Sequence, residues 1–322
     1  MSNPGAIVAL SLLFAAPLVA QEPATEHPAV QAVPARCFLW KVTDDAGEGF
    51  VYVLGSFHSG TPDLFPLDRA IEEAYEACRI LAVEIDPANV TPDESRALIL
   101  RYGAYNDGTT MADHLTPEAF DVVRQKLEAE GIPLQRVGDA KPSLVQMNLR
   151  NPAIVAAGFS ADFGLDRHFL TRAREDKKQI LELETVESQY ALIFGDSDEL
   201  QELSLLRMIR KLDSIKEDTQ AQLTAWRNGD ADAMEQIMTG IIEKDPWMEA
   251  SLKKRLDDRN GPFAEKTLAL LEAGEPALVV LGAAHLVGER GVLAQLQERG
   301  LTVEQVAGQG APAPADSDDL TR

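Results

Sequence analysis

Two histidines of this 322-residue chain share a short motif whose residues could bind a metal ion or transfer protons. His58 ends Gly-Ser-Phe-His and His285 ends Gly-Ala-Ala-His. Each Gly-x-x-His follows an apolar run typical of a buried strand, and glycine lets the chain turn sharply there. With 22 glycines and five histidines in the chain, about 0.3 such matches are expected by chance. Two matches at two strand ends therefore favour a functional pair over coincidence.

Two carboxylates stand at equivalent points of the sequence. Glu84 ends the apolar run RILAVE, and Glu184 ends QILELE. In an open α/β sheet the carboxyl ends of parallel strands meet at one edge, so we expect His58, His285 and both glutamates to converge there. Imidazole and carboxylate together suit Zn, Mn, Co or Fe, and zinc hydrolases often use two His and one Glu. The alternative, for each histidine alone, is a strand cap that bonds backbone groups.

The elements that must position these side chains are typical of an α/β protein. Strands are predicted at 38–42, 50–54, 79–86, 179–184, 277–281 and 301–306. Helices are predicted at 66–78, from 91 and 116, at 141–157 and 164–174, over most of 187–271, and from about 288. The succession of strand, helix and strand over 50–86 indicates a βαβ unit. We therefore predict a mainly parallel central sheet flanked by helices, with large helical insertions between core strands.

Composition divides the chain into four segments. Residues 1–20, with the apolar run AIVALSLLFAAPLVA, are typical of a cleaved signal peptide, which predicts a periplasmic or secreted protein. Residues 21–35 are typical of a flexible linker and 308–322 of a disordered tail. Between them, 36–307 is predicted to be a single α/β domain with helical insertions at about 91–160 and 187–271. An uncleaved anchor is the alternative at the start, but the run is short for a span of ~20 residues, so no stable membrane span is expected.

Charge and cysteine content exclude several classes of protein. With 30 Lys+Arg against 52 Asp+Glu the net charge is −22, which disfavours a nucleic-acid partner. The only cysteines, Cys37 and Cys78, exclude a disulfide-rich scaffold and a cysteine-ligated zinc finger. Export would permit a bond between them, but the predicted register places them toward opposite ends of their strands. Kinase and serine-hydrolase motifs are absent from the sequence.

Taken in order, these motifs resemble the TraB/GumN family, whose animal relatives include the Tiki-type metalloproteases. The resemblance runs from about Phe38 to Val306. Its most specific elements are the paired Gly-x-x-His motifs and the glutamate on the second core strand. Arg259-Asn260, within DDRN, matches the family's Arg-Asn dipeptide ahead of the second histidine motif. An aromatic residue commonly follows that dipeptide, whereas this chain continues Gly-Pro-Phe over 261–263.

The resemblance implies an α/β core related to the erythromycin esterase-like superfamily and a metal-dependent peptidase activity. Carried over by position, His58, Glu84 and His285 are the expected ligands of a divalent ion: Mn, Co or Zn. Whichever carboxylate is not a ligand, Glu84 or Glu184, is the expected general base. Arg259 or Asn260 is expected to stabilise the developing oxyanion.

Two functions follow as expectations. The first is an exported metal-dependent hydrolase that cleaves a peptide or protein substrate with a metal-activated water. The alternative is a binding protein that captures a peptide, a glycan or haem in the same cleft without turnover.

Three other polar residues are weaker candidates. Asp166, like Arg259, could orient ligands or hold a substrate carboxylate, although such residues are more often structural ion-pair partners. His168, on the same predicted helix, is interpreted as a surface residue or a support for the site. His114 is interpreted as a loop residue.

Overall fold

The predicted strands form one mixed sheet in the order β4-β3-β5-β2-β1-β6. The structure is a computed structural model and describes residues 35–44 and 49–311, so the predicted signal peptide lies outside the described residues. β2, β5, β3 and β4 are parallel, while β1 is antiparallel to β2 and to β6. The α/β class is confirmed. The antiparallel pairs, β2 with β1 and β1 with β6, lie at one end of the strand order. The strands are β1 (Arg36–Thr43), β2 (Phe50–Ser56), β3 (Ile80–Val83), β4 (Gln179–Glu182), β5 (Ala277–Gly282) and β6 (Thr302–Ala307).

A strand from late in the chain lies at the middle of the parallel part. Val280 of β5 pairs with Leu54 of β2 on one side and with Val83 of β3 on the other. β2 and β3 are therefore not neighbours, although they are the two strands of the βαβ unit predicted over 50–86. Residues 277–281 of β5 are fully buried, which accounts for their uninterrupted apolar sequence.

The helices surround the sheet or form the insertions. A π-helix at Lys253–Asp257 separates α11 from α12. The segment 187–271 is helical as predicted, but it is divided into successive helices by short breaks. The helices are α1 (Arg69–Ala77), α2 (Pro92–Gly103), α3 (Met111–His114), α4 (Pro117–Ala129), α5 (Pro142–Ala156), α6 (Leu165–Glu175), α7 (Val186–Phe194), α8 (Asp198–Lys211), α9 (Ile215–Arg227), α10 (Ala231–Lys244), α11 (Met248–Leu252), α12 (Asp258–Glu272) and α13 (Val292–Glu298).

The buried apolar side chains form two clusters. The sheet cluster joins the strands to helices including α1, α6, α9, α12 and α13, and contains Phe38, Val280 and Trp226. The helical cluster lies within the insertions, among α2 to α5, α7 and α8, and contains Met111 and Leu205. The insertions thus bury apolar side chains of their own, and the sheet does not depend on them for all of its core.

The first Gly-x-x-His motif is packed directly against the second. A Cβ atom on Gly55 would overlap the Phe38 ring and lie 3.3 Å from the Cα atom of Ala283. The Gly55 carbonyl accepts a hydrogen bond from the buried Trp226 indole Nε1–H at 2.7 Å. Glycine is therefore required at this position by close approach, and the two motifs hold each other in place.

The two cysteines are buried and unbonded. Burial raises the pKa of each thiol to about 12, so both remain protonated and unreactive at neutral pH. Cys37 lies toward the carboxyl edge of the parallel strands and Cys78 toward the opposite edge, as the sequence register indicates.

The described ends of the chain add two observations. The first residues of the predicted tail contact the sheet domain, because the backbone N–H groups of Gln309 and Gly310 donate to the Asp68 carboxylate at 3.0 and 2.7 Å. Within 35–44 and 49–311, no helix is long and apolar enough to cross a membrane.

Gly55→Ala should lower the free energy of unfolding by about 1–3 kcal/mol, because the added methyl group overpacks the junction of the two motifs. Gly240→Ala is the matched control: Gly240 lies inside α10 with nothing within 4 Å of its missing Cβ. That change should stabilise by about 0.5–1 kcal/mol. Urea unfolding of the three proteins measures both effects, and an equal response of both variants would contradict this packing.

Candidate active site

The four side chains predicted to converge all follow parallel strands at the same edge of the sheet. His58 comes two residues after β2, Glu84 directly after β3, Glu184 two residues after β4, and His285 three residues after β5. Because β4, β3, β5 and β2 are neighbours in that order, Glu84 and His285 come from the two inner strands. The backbone N–H of Glu184 donates to the Glu84 carbonyl at 2.9 Å, which extends the pairing of β3 and β4 into the site.

One guanidinium joins three of these side chains. Arg259, in the first turn of α12, donates from Nη2 to Glu84 Oε2 at 2.6 Å. Its Nε donates to Glu184 Oε2 at 3.2 Å, and Nη2 also donates to Glu184 Oε1. Its Nη1 lies 3.0 Å from Nε2 of His285 and donates to the Arg255 carbonyl, also at 3.0 Å. Every N–H-bearing nitrogen of Arg259 is thus used within the site.

Glu84 is buried and fully paired. Its Oε1 accepts the backbone N–H of Gly282 at 2.8 Å, and Gln189 Nε2 donates to its Oε2 at 3.2 Å. A Cβ on Gly282 would lie 3.2 Å from Oε1, so glycine permits this close approach. Burial alone would raise the pKa of Glu84, but His285, Arg259, His58 and the Gly282 N–H outweigh it and the pKa is lowered. Since His285 is neutral above about pH 4, Arg259 is the main cation that keeps Glu84 ionised at neutral pH.

His285 is neutral and held in one tautomer. Burial lowers its pKa to about 4, with Arg259 and His58 acting in the same direction and Glu84 opposing them. Its Nδ1 lies 2.6 Å from Asn260 Oδ1, and Asn260 Nδ2 donates to the Arg290 carbonyl at 2.8 Å. Asn260 therefore presents an acceptor to His285, which assigns the proton to Nδ1 and a lone pair to Nε2. That lone pair accepts from Arg259.

The helix after Arg259-Asn260 is regular despite the departure from the family pattern at residues 261–263. α12 continues through Pro262, and Phe263 is buried. The Phe263 ring packs edge-on against the imidazole of His285, with ring centroids 5.1 Å apart. In this chain the aromatic residue that packs against His285 is therefore Phe263, three residues after Asn260.

His58 forms a separate pair with Asp166. Its Nδ1 lies 2.9 Å from Asp166 Oδ2, and Ser56 Oγ donates to Asp166 Oδ1 at 2.7 Å. The charge of Asp166 and this hydrogen bond raise the pKa of His58 to about 9. The imidazole is 76% exposed, so solvent screens the pair and its contribution to stability is small. Its Nε2 has no hydrogen-bond partner among the described residues, which leaves it open to a ligand.

A further arginine lies near the exposed histidine. Arg150 of α5 is exposed, and its charge lowers the pKa of His58 against the larger effect of Asp166. Within the described part of the chain Arg150 forms no ion pair. It is therefore a free cation available to an anionic group that approaches His58.

Several functional contacts were not apparent in the sequence. For Asp166 the sequence leaves open whether it orients a ligand or serves as a structural ion-pair partner; in the structure it bonds His58 from 108 residues away. Ser56 and Gln189 were not singled out at all. Asn260, expected near an oxyanion, has both polar atoms engaged with His285 and Arg290. Each of these links joins residues on different elements, so no local spacing could have revealed it.

The two remaining histidines of the described chain lie outside this site. His168 is partly buried between aromatic rings, 4.7 Å from Phe65 and 5.1 Å from Phe169 by ring centroids, and its buried Nε2 has no partner. It is neither a surface residue nor a contact of the site. His114 ends α3 rather than lying in a loop, and bonds Asp198 and Thr109 in the helical insertions.

The donors of this site fit a divalent metal ion in kind. Each imidazole is fixed through Nδ1 by an oxygen acceptor, as metal-binding histidines usually are, and Nε2 is the atom left for an ion. His58, which Asp166 keeps protonated at neutral pH, must release a proton to coordinate that ion. Glu84 Oε1 lies 3.8 Å from Nε2 of His285. In 35–44 and 49–311, however, no group of three or more His, Cys, Asp or Glu side chains is placed to hold a metal ion. The cation between these acceptors is Arg259, and the metal ligand set stays a prediction.

This combination of features defines a class of protein. Its members have an α/β sheet in which two Gly-x-x-His motifs are in contact, and an Arg-Asn dipeptide bonds the second histidine while its arginine also bonds a glutamate at a strand end. The model of the TraB/PrgY/gumN family matches residues 38–305, and the chain belongs to this family.

The known relatives leave the activity open. The chain is 23% identical over 266 residues to the uncharacterized protein YbaP of Escherichia coli (strain K12), a match that covers 78% of this chain and 90% of YbaP. The uncharacterized protein YbaP of Shigella flexneri matches with the same identity and coverage. No solved structure matches the chain. The comparisons therefore establish the family.

Asp166→Asn should lower the pKa of His58 from about 9 toward its ordinary value of 6.5, because the carboxylate charge is lost. A raised folded-state pKa means that the pair stabilises the protein below about pH 6.5 and that this contribution is lost as pH rises through about 9. Histidine NMR titration of the chelator-treated protein measures the shift.

Ser56→Ala is the control for that titration, since it removes a hydrogen bond to Asp166 and keeps the charge. Its His58 should still titrate well above 6.5. An unchanged titration in Asp166→Asn would show that Asp166 does not set the protonation of His58.

Proposed function

We propose that this protein is an exported hydrolase of the TraB/PrgY/gumN family that cleaves peptide bonds with the help of a divalent metal ion. His58, Glu84 and His285 would hold the ion, as the family resemblance implies. The observation that supports this proposal is the matched support of the two histidines: Nδ1 of each is fixed by an oxygen acceptor, and Nε2 of each is directed away from it. Asp166 and Asn260 orient the two imidazoles in the same way although they lie on different helices, which favours one ligand bound by both rings.

A bound divalent ion, Mn, Co or Zn, would polarise the scissile carbonyl and lower the pKa of a bound water. The residues of the chain supply the rest. Asp166 and Asn260 set the orientation of the two imidazoles, and the Gly282 N–H fixes the Glu84 carboxylate. Glu184 and Arg259 complete the charge of the site, since Arg259 pairs with both Glu84 and Glu184.

The substrate is proposed to be a peptide or protein, with an anionic group near the reacting bond. Arg150 is an exposed cation whose charge acts on His58, and it forms no ion pair in the described residues. A substrate carboxylate could pair with it, since guanidinium groups recognise carboxylates well. Export to the periplasm or beyond remains part of the proposal and rests on the sequence of residues 1–20.

A binding protein without turnover is the second candidate. Arg259 hydrogen-bonds Glu84, Glu184 and His285, so the polar atoms of these side chains have partners without a ligand. In that case only His58 and Arg150 would face a captured molecule. The presence or absence of peptide cleavage separates the two functions.

Glu84→Gln, His58→Ala and His285→Ala should each reduce metal-dependent peptide cleavage by at least about 10²-fold, as expected for the loss of a ligand or an acid–base group. The assay uses the mature chain, stripped with chelator and reloaded with Mn, Co or Zn, on a mixed peptide library read by mass spectrometry. His114→Gln is the control histidine, since it lies in the helical insertions. The assignment would be refuted if wild type still cleaved peptides after chelator treatment and all three variants cleaved as well as wild type. Ligand capture without cleavage would favour the binding protein.

A further inference from the structure

Arg259 occupies the lone pair with which His285 would bind a metal ion, and one of the two oxygens of Glu84. Its Nη2 donates to Glu84 Oε2 at 2.6 Å, and its Nη1 lies against the Nε2 lone pair of His285 at 3.0 Å. Glu84 and His285 are two of the three expected ligands. His285 Nε2 has one lone pair, which a hydrogen-bond donor and a metal ion cannot share, so its contact with Arg259 must break before His285 coordinates an ion. Glu84 Oε1, which among the described residues accepts only the Gly282 N–H, keeps a lone pair that Arg259 does not use.

We propose that Arg259 is an internal cation that competes with the metal ion: the guanidinium pairs with Glu84 and His285 in the metal-free protein, and metal binding displaces it from His285 and weakens its pair with Glu84. This inference rests on the metal-binding part of the proposed function and does not depend on hydrolysis.

The burial of Glu84 explains why a cation must be present when no metal is bound. The Glu84 side chain is 6% exposed and that of His285 is 4% exposed. A buried carboxylate without a counter-ion is strongly unfavourable, and His285 offers Glu84 no N–H from Nε2, which accepts from Arg259 instead. Arg259 supplies the positive charge. A divalent ion would supply it too, and two cations at one carboxylate would repel each other.

Glu184 gives the displaced guanidinium a place to remain. Glu184 accepts from Nε and Nη2 of Arg259, and the Arg255 carbonyl accepts from Nη1. None of these contacts uses an expected metal ligand. Arg259 can therefore leave Glu84 and His285 while it stays bonded to Glu184. The second strand-end carboxylate thus acts as the anchor of Arg259, a positioning role, which differs from the general-base role expected from the sequence.

The test measures metal affinity rather than activity. Chelator-treated mature wild type and Arg259→Gln are titrated with Mn²⁺, Co²⁺ and Zn²⁺ by calorimetry. Arg259→Gln should bind about tenfold tighter or better, since it removes the competing charge and the guanidinium at His285 Nε2. Arg259→Lys keeps the charge and should stay within a few fold of wild type. Arg290→Gln is the matched control, because it removes an exposed arginine paired with Asp257 outside the ligand set.

A second measurement covers the case in which Arg259→Gln does not fold without metal. Circular dichroism during metal titration should then show folding restored by the ion, and the melting temperature should rise more than it does for wild type. Affinity of Arg259→Gln no higher than that of Arg290→Gln, or a failure of metal to restore its fold, would overturn the inference. So would the absence of metal binding in every variant. Metal binding without peptide cleavage would remove the hydrolase proposal and leave the competition intact.

Discussion

Burial of the Glu84 carboxylate is the constraint on which the rest of the site depends. An ionised carboxylate removed from water costs several kcal/mol unless cations and donors surround it. Here the donors come from three other parts of the chain: the Gly282 N–H at the end of β5, Gln189 on α7, and Arg259 on α12. The charge of Glu84 is therefore satisfied only when the sheet and the second helical insertion have both folded against each other. A local feature of one strand end thus couples elements that lie up to 198 residues apart.

Patterning predicted the parts of this arrangement that depend on near neighbours. Apolar runs that end in a polar residue identified the strand ends, and parallel strands must place those ends at one edge. The position of β5 between β2 and β3 was not predictable in the same way, because strand order depends on contacts between distant elements. Yet that position brings Ala283 of the second motif against Gly55 and His285 to within 3.8 Å of Glu84. The sequence thus indicated which residues meet, while the contacts that hold them required the structure.

The residues whose contacts the sequence did not reveal share a physical cause. Asp166, Ser56 and Gln189 each act on a partner from another element, and their own surroundings in the sequence are ordinary for a helix start, a strand end and a helix. Asp166 in the first turn of α6 is also what a helix N-terminus favours, so its type had a sufficient local explanation. Only the 2.9 Å contact with His58 distinguishes it from the other acidic residues of this acidic chain.

The helix that carries Arg259 shows how the backbone adapts to the site. A π-helix at Lys253–Asp257 comes directly before α12, and π-turns inside helices are frequent at functional sites. Such a turn shifts the backbone hydrogen bonds from the fourth to the fifth residue, which changes the carbonyls that are available along the helix. The Arg255 carbonyl, within this turn, accepts from the Arg259 side chain, while the Arg255 side chain bonds the buried Asp196 at 2.9 Å. This π-turn therefore links the start of α12 to Asp196 through the Arg255 side chain, and it places Arg259 at the edge of the sheet. The same link limits how far Arg259 can move, so any exchange of partners at Glu84 must be a short swing of the guanidinium toward Glu184 rather than a displacement of the helix.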